Sequence, residues 1–176
     1  MKNGKAGSAM ALVAVTVLLA LAPAWGQEQS PRFADHPGAA RFTGRNAVPV
    51  LASAEARRFR TMIRDGARRK PNFDGHYIVT TWGCGTDCEM GAIIDAISGG
   101  VVSLPVVAGS LQDATAGSTH FDYRLDSNLL VMNGMIGEEP PMGTHYFTFD
   151  GSRLALLKTI PKPEKHWDTP GPGTPR

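Results

Sequence analysis

The chain has 176 residues, 42% of them apolar, with 18 Lys and Arg against 16 Asp and Glu, which suits one ordinary globular domain and is too little for two. Lys2 and Lys5 fall in a segment read below as a cleaved leader, so the mature chain is charge-balanced. That argues against both a strongly basic nucleic-acid binder and an acidic, solvating chain. Two cysteines and five histidines make neither a disulfide mini-scaffold nor an evident metalloprotein.

Lys2 and Lys5 precede an uncharged run from Ala9 to Ala22, followed by Pro23, Ala24, Trp25 and Gly26. This is the positive, apolar, small-residue order of a secretory signal. The run is shorter than the roughly 20 residues of a membrane-spanning helix, and no second run follows. Ala24 and Gly26 supply small residues at −3 and −1, so residues 1–26 are expected to be removed and the mature chain to begin at Gln27. The protein is then expected to be periplasmic or secreted, with no transmembrane segment after cleavage.

Residues 27–52 carry Pro31, Pro37, Pro49, Gly38 and Gly44 without periodicity and read as an irregular lead-in. Residues 161–176 contain five prolines and read as a disordered tail. The folded domain is expected over residues 53–160. Ser53 is a helix cap with Glu55 in the first turn; Ala56, Phe59, Met62 and Ile63 follow at helical spacing, and Gly66 ends the helix. Its outer face holds Arg57, Arg58, Arg60 and Arg64 and continues into Arg68, Arg69 and Lys70, which reads first as a solvated face. After Pro71 the period becomes two, predicting strands at about 76–82, 90–95, 101–106, 121–125, 129–133, 144–149 and 153–157. Short turns such as Asp126-Ser127-Asn128 and Asp150-Gly151 make antiparallel pairing the expectation, with 107–120 and 134–143 as longer loops. The predicted fold is α+β, mostly β: one amphipathic helix packed on a curved antiparallel meander of about six or seven strands.

The most distinctive stretch is Trp82-Gly83-Cys84-Gly85-Thr86-Asp87-Cys88. In an exported protein two cysteines pair by default. Fully extended, their Cα atoms would lie about 13 Å apart against the roughly 5.5 Å of a disulfide, so the segment has to turn, and Gly83 and Gly85 permit it. Closing so small a loop contributes about 2 kcal/mol. A stapled turn presenting Thr86, Asp87 and glycine N–H groups is ordered before a partner arrives. A redox pair fits less well, because the spacing is C-x-x-x-C and Asp87 disfavours a thiolate.

Among His36, His76, His120, His145 and His166 there is no H-x-H or H-E-x-x-H spacing, so spacing alone gives no metal site. His76 is a weak catalytic candidate beside a strand start. Ser127, with Asp126 before it, is a weak nucleophile candidate that lacks the G-x-S-x-G elbow.

The segments Gly75-His76-Tyr77, Trp82-Gly83-Cys84-Gly85-Thr86-Asp87-Cys88 and Asp126-Ser127-Asn128-Leu129-Leu130 together resemble a family of small, uncharacterised exported bacterial proteins. The resemblance spans about residues 71–157. It implies export and a mostly β domain, and it carries over no catalytic residue.

The leading expectation is therefore a non-catalytic binding or interaction domain presenting the Cys84 to Cys88 loop to a protein, small-molecule or cell-envelope ligand, with no cofactor, metal or nucleic acid. One alternative is a small hydrolase-like or thiol-redox enzyme using His76 with Cys84 or Ser127. Another is an envelope-associated protein held by its Arg-rich helix.

Overall fold

Among the described residues seven strands follow one another from Tyr77 to Pro161, all paired antiparallel: β1 (Tyr77–Gly85), β2 (Cys88–Asp95), β3 (Val101–Ala108), β4 (Phe121–Tyr123), β5 (Leu129–Ile136), β6 (Glu139–Phe149) and β7 (Leu154–Pro161). The structure, a computed structural model, describes residues 29–109 and 120–162. The leader, its cleavage point, most of the 107–120 loop and the tail beyond Lys162 lie outside the described residues.

The sheet runs β1-β2-β3-β5-β6-β7 and is open, with β1 and β7 at its edges. This is the expected antiparallel meander, with one departure at β4. β4 and β3 share one edge of β5: β4 pairs Leu130 to Met132, and the end of β3 pairs Met135 and Ile136. A Cβ at Gly134 would meet the Ala108 carbonyl at 2.7 Å, and its φ of 145° suits glycine, so this residue lets β3 cross close to β5.

The sheet folds over on itself at that junction and so has two cores. Tyr77, Val79, Ile93, Leu104 and Val107 point inward to meet Phe121, Leu130, Met132 and Phe149, with Phe73 between them. The alternate residues Ile78, Ala92 and Ile94 face the other way, against Ala56, Ile63 and Ala67 of the helical layer. The β1–β2 register, Ile78 opposite Ile94 and Val79 opposite Ile93, keeps the two sets on opposite faces. Each fully buried aliphatic or aromatic side chain here contributes about 1.5–3 kcal/mol of transfer free energy.

The helical layer is two short helices rather than one. α1 (Ala54–Arg58) starts at Ser53, whose hydroxyl accepts from the Ala56 N–H at 2.9 Å. Phe59 departs from helical geometry (φ −100°, ψ 24°), and α2 (Arg60–Gly66) follows. The break lets Phe59 stack on Trp82 at 5.2 Å while Ile63 and Gly66 sit against β1. Met62, expected on the buried face, is exposed.

Two strand pairs run further than periodicity predicts. β1 and β2 continue to the Gly85–Cys88 pair, and β5 and β6 continue past Gly134 and Gly143 to Ile136 and Glu139, so most of the expected 134–143 loop is ladder. Glycines and the Pro140-Pro141 pair blur the alternation there, whereas the backbone pairing persists.

Residues 29–52 hold one short 3-10 turn, Phe33–Asp35, and are otherwise irregular. They are stitched to the domain: Gly38 donates to the Asp126 carbonyl, Phe42 to Gly75, Ala47 to Ala96 and Val50 to Gly99, each at 2.8–3.0 Å. The Ala39 N–H donates to the buried Asp74 carboxylate at 2.7 Å. A side chain at Gly75 (φ 71°) would collide with the Ala39 and Ala40 carbonyls, so this close approach depends on glycine.

Candidate functional site

The β1–β2 hairpin ends in a stapled tip. Gly83 pairs with Glu89, a bulge follows, and Gly85 pairs with Cys88, leaving Thr86 and Asp87 as the turn. Asp87 adopts the left-handed conformation (φ 51°), which Asp tolerates better than most residues. This turn brings the Cα atoms of Cys84 and Cys88 to 5.2 Å, and the two form a disulfide. Gly83, Cys84, Gly85, Thr86 and Asp87 are all exposed. Trp82, half-buried at the root of the tip, packs on Phe59, and its indole N–H has no hydrogen-bond partner among the described residues.

Beneath the tip the fold assembles a cluster that the chain order does not announce. His120, just before β4, lies with Nδ1 3.5 Å from Glu89 Oε2 and Nε2 3.7 Å from Asp87 Oδ1. Its backbone N–H also donates to Glu89 Oε2 at 3.3 Å, and its carbonyl accepts from the Asn133 N–H. The imidazole and the Glu89 carboxylate are mostly shielded, at 17% and 19% exposure, while Asp87 is open to solvent. Nearby, burial and then the Glu89 charge push the Tyr123 hydroxyl above the ordinary phenol value. The row sets one imidazole between two carboxylates, with no hydrogen bond to its Nε2 among the described residues. Among the described residues neither cysteine offers a free thiol beside it, since Cys84 and Cys88 are joined in the disulfide. Among the described residues no group of three or more His, Cys, Asp or Glu is arranged to hold a metal ion.

The weaker candidates lie elsewhere. His76 sits at the opposite end of β1 from Cys84, eight residues and roughly 26 Å away along an extended strand. Its carboxylate neighbour is Asp95, at 3.7 Å, and its ring stacks on Tyr77 at 4.0 Å. Ser127 is fully buried, with its hydroxyl donating to the His36 carbonyl at 2.6 Å and accepting from the Leu129 N–H at 3.1 Å. Asp126 is exposed, and its carbonyl receives the Gly38 N–H. His145 is buried between Thr159 and the Gly134 carbonyl, each 3.0 Å from a ring nitrogen. His166 lies outside the described residues.

The structure therefore gathers Trp82, Gly83, Cys84, Gly85, Thr86, Asp87 and Cys88 at one tip and adds Glu89 and His120. It does not join His76 to Cys84. Glu89 and His120 escape sequence reasoning because 31 residues separate them and only the tertiary fold sets the start of β4 against β2. No family model matches the chain, and no curated protein or solved structure matches it.

Proposed function

We propose that the protein is a non-catalytic binding domain, exported to the periplasm or secreted, and that the β1–β2 tip is its recognition element. The observation that carries this reading is the tip itself: five consecutive exposed residues held in one conformation by the Cys84–Cys88 bridge. A loop ordered in advance loses little conformational entropy when a partner closes on it. The half-buried Trp82 and the Asp87–His120–Glu89 row at its root add an apolar anchor and a polar rim, the composition of a small contact surface. Export is supported by the leader-like residues 1–26 and by the disulfide; no helix among the described residues is long and apolar enough to cross a membrane.

The enzymatic alternative draws less support, because the Ser127 hydroxyl is fully used inside the fold and His76 faces Asp95 rather than a nucleophile. A photo-crosslinking residue placed at Thr86, compared with one at Ser152 in the exposed β6–β7 turn, tests the binding reading in the producing cell. Adducts at Thr86 that vanish in a Cys84→Ser/Cys88→Ser variant are expected. Equal yields at both positions would remove the tip from consideration.

A further inference from the structure

The charge balance of the chain hides a strong segregation. Residues 41–70 carry nine bases and two acids, whereas residues 71–176 carry six bases and twelve acids. The fold concentrates the basic segment further, around a cleft of 910 Å³ between the lead-in and the end of α2. One wall brings Arg41 and Arg45; the other brings Arg64, Arg68, Arg69 and Lys70. No Asp or Glu among the described residues lines it. Among the described residues Asp65, paired with Arg68 at 3.3 Å, is the one acid in an ion pair with any of the six.

Both walls are fixed. The lead-in is pinned by the Phe42 to Gly75, Ala47 to Ala96 and Val50 to Gly99 hydrogen bonds. Asn46 ties it to the opposite wall, its side-chain amide donating to the Ala67 carbonyl at 2.8 Å and the Arg69 carbonyl at 2.7 Å. The Ala67 carbonyl lies at the C-cap of α2, where partial negative charge would repel an anion, and the Asn46 amide covers it together with the Arg69 carbonyl just beyond. What the cleft then offers a ligand is guanidinium and ammonium groups, with Phe42, Pro49 and Pro71 as apolar surface.

We infer that this cleft is a binding site for a compact polyanion carrying two or more phosphoryl groups. Five of its six cations are arginines, whose planar forks bind oxyanions bidentately. Phosphoryl groups concentrate more negative charge in a given volume than carboxylates, as six cations around one cavity require. The volume lies within the usual range for small-molecule sites. The pinning partners Gly75, Ala96 and Gly99 lie at the His76 end of the sheet, so the cleft is separate from the stapled tip and independent of the function proposed for it. The phosphoryl groups can belong to a free ligand or to a lipid headgroup.

Calorimetry with inorganic tripolyphosphate, alongside flotation with phosphatidylcholine vesicles with and without cardiolipin, tests the site and separates the two sources. The cleft variant is Arg45→Gln/Arg64→Gln. Both side chains are exposed and make no ion pair or hydrogen bond among the described residues, so the substitutions break no such contact. Arg58→Gln/Arg60→Gln removes equal charge from the same basic segment outside the cleft. The cleft variant is expected to weaken binding about tenfold per guanidinium lost, and the control pair by less than about threefold. Binding of tripolyphosphate assigns a free ligand; binding of cardiolipin vesicles alone assigns a headgroup. Failure to bind either probe, or equal loss in the two variants, would overturn the site.

Discussion

Asn72 acts as an extra strand residue for Val79: its side-chain N–H donates to the Val79 carbonyl at 3.0 Å and its side-chain oxygen accepts from the Val79 N–H at 2.8 Å. β1 is an edge of the sheet, and an open edge is a template for pairing with another chain. One amide thus satisfies the backbone of a buried residue and blunts the edge. Asn72→Ala is expected to lower the unfolding free energy by about 1–3 kcal/mol and to promote self-association. Urea denaturation and sedimentation velocity measure the two effects. Unchanged stability with a monodisperse monomer would contradict this role.

Reduction of Cys84–Cys88, or its replacement by serines, should cost about 2 kcal/mol and leave both cores intact, because the tip lies beyond them. Amide exchange would accelerate locally at 83–87. Acceleration spread through β1 and β2 would show that the bridge supports the sheet as well.

Burial by itself would raise the Asp95 carboxyl, but the Ser98 hydroxyl, the Ile97 and Ser98 N–H groups and His76 outweigh it and hold the carboxyl below its ordinary value. A folded value below the unfolded one contributes stability that is present above the unfolded value and lost as pH falls through the folded one. Asp95→Asn should therefore lower the melting temperature near neutral pH, with the gap to the parent closing below about pH 4. A gap that stays constant on acidification would rule out this linkage.

Ser127→Ala removes an acceptor from the Leu129 N–H and a donor from the His36 carbonyl inside the fold. A loss of about 1–3 kcal/mol is expected by thermal or chemical denaturation. A parallel experiment with a serine-reactive fluorophosphonate should leave the parent unlabelled. Labelling at Ser127 would reopen the hydrolase reading.

Phe73 is fully buried where the sheet folds over, its ring 5.8 Å from Phe149 and 6.3 Å from Tyr123. Truncation to alanine removes a side chain that joins the two halves of the sheet and should cost about 3–5 kcal/mol in denaturant unfolding. A cost near 1 kcal/mol would mean that the halves close over the cavity.

Features governed by near neighbours were legible in the chain. The Ser53 cap depends on an N–H three residues away, the stapled turn on four intervening bonds, and the seven strands on a period of two that survives wherever one face is buried. Local pattern failed where backbone pairing overrode composition, as in the glycine- and proline-rich ends of β5 and β6, and where Phe59 left the helix to meet Trp82. Tertiary structure alone decided the rest. Ser127 finds its acceptor at His36, 91 residues earlier; Glu89 meets His120 across 31 residues; and Arg41 and Arg45 join Arg64 to Lys70 because Asn46 and the backbone hydrogen bonds of Phe42, Ala47 and Val50 hold the lead-in in place. The physical reason is that hydrogen-bond partners and charge neighbours are chosen by proximity in space, while the chain's own periodicity records only which face of each element is apolar.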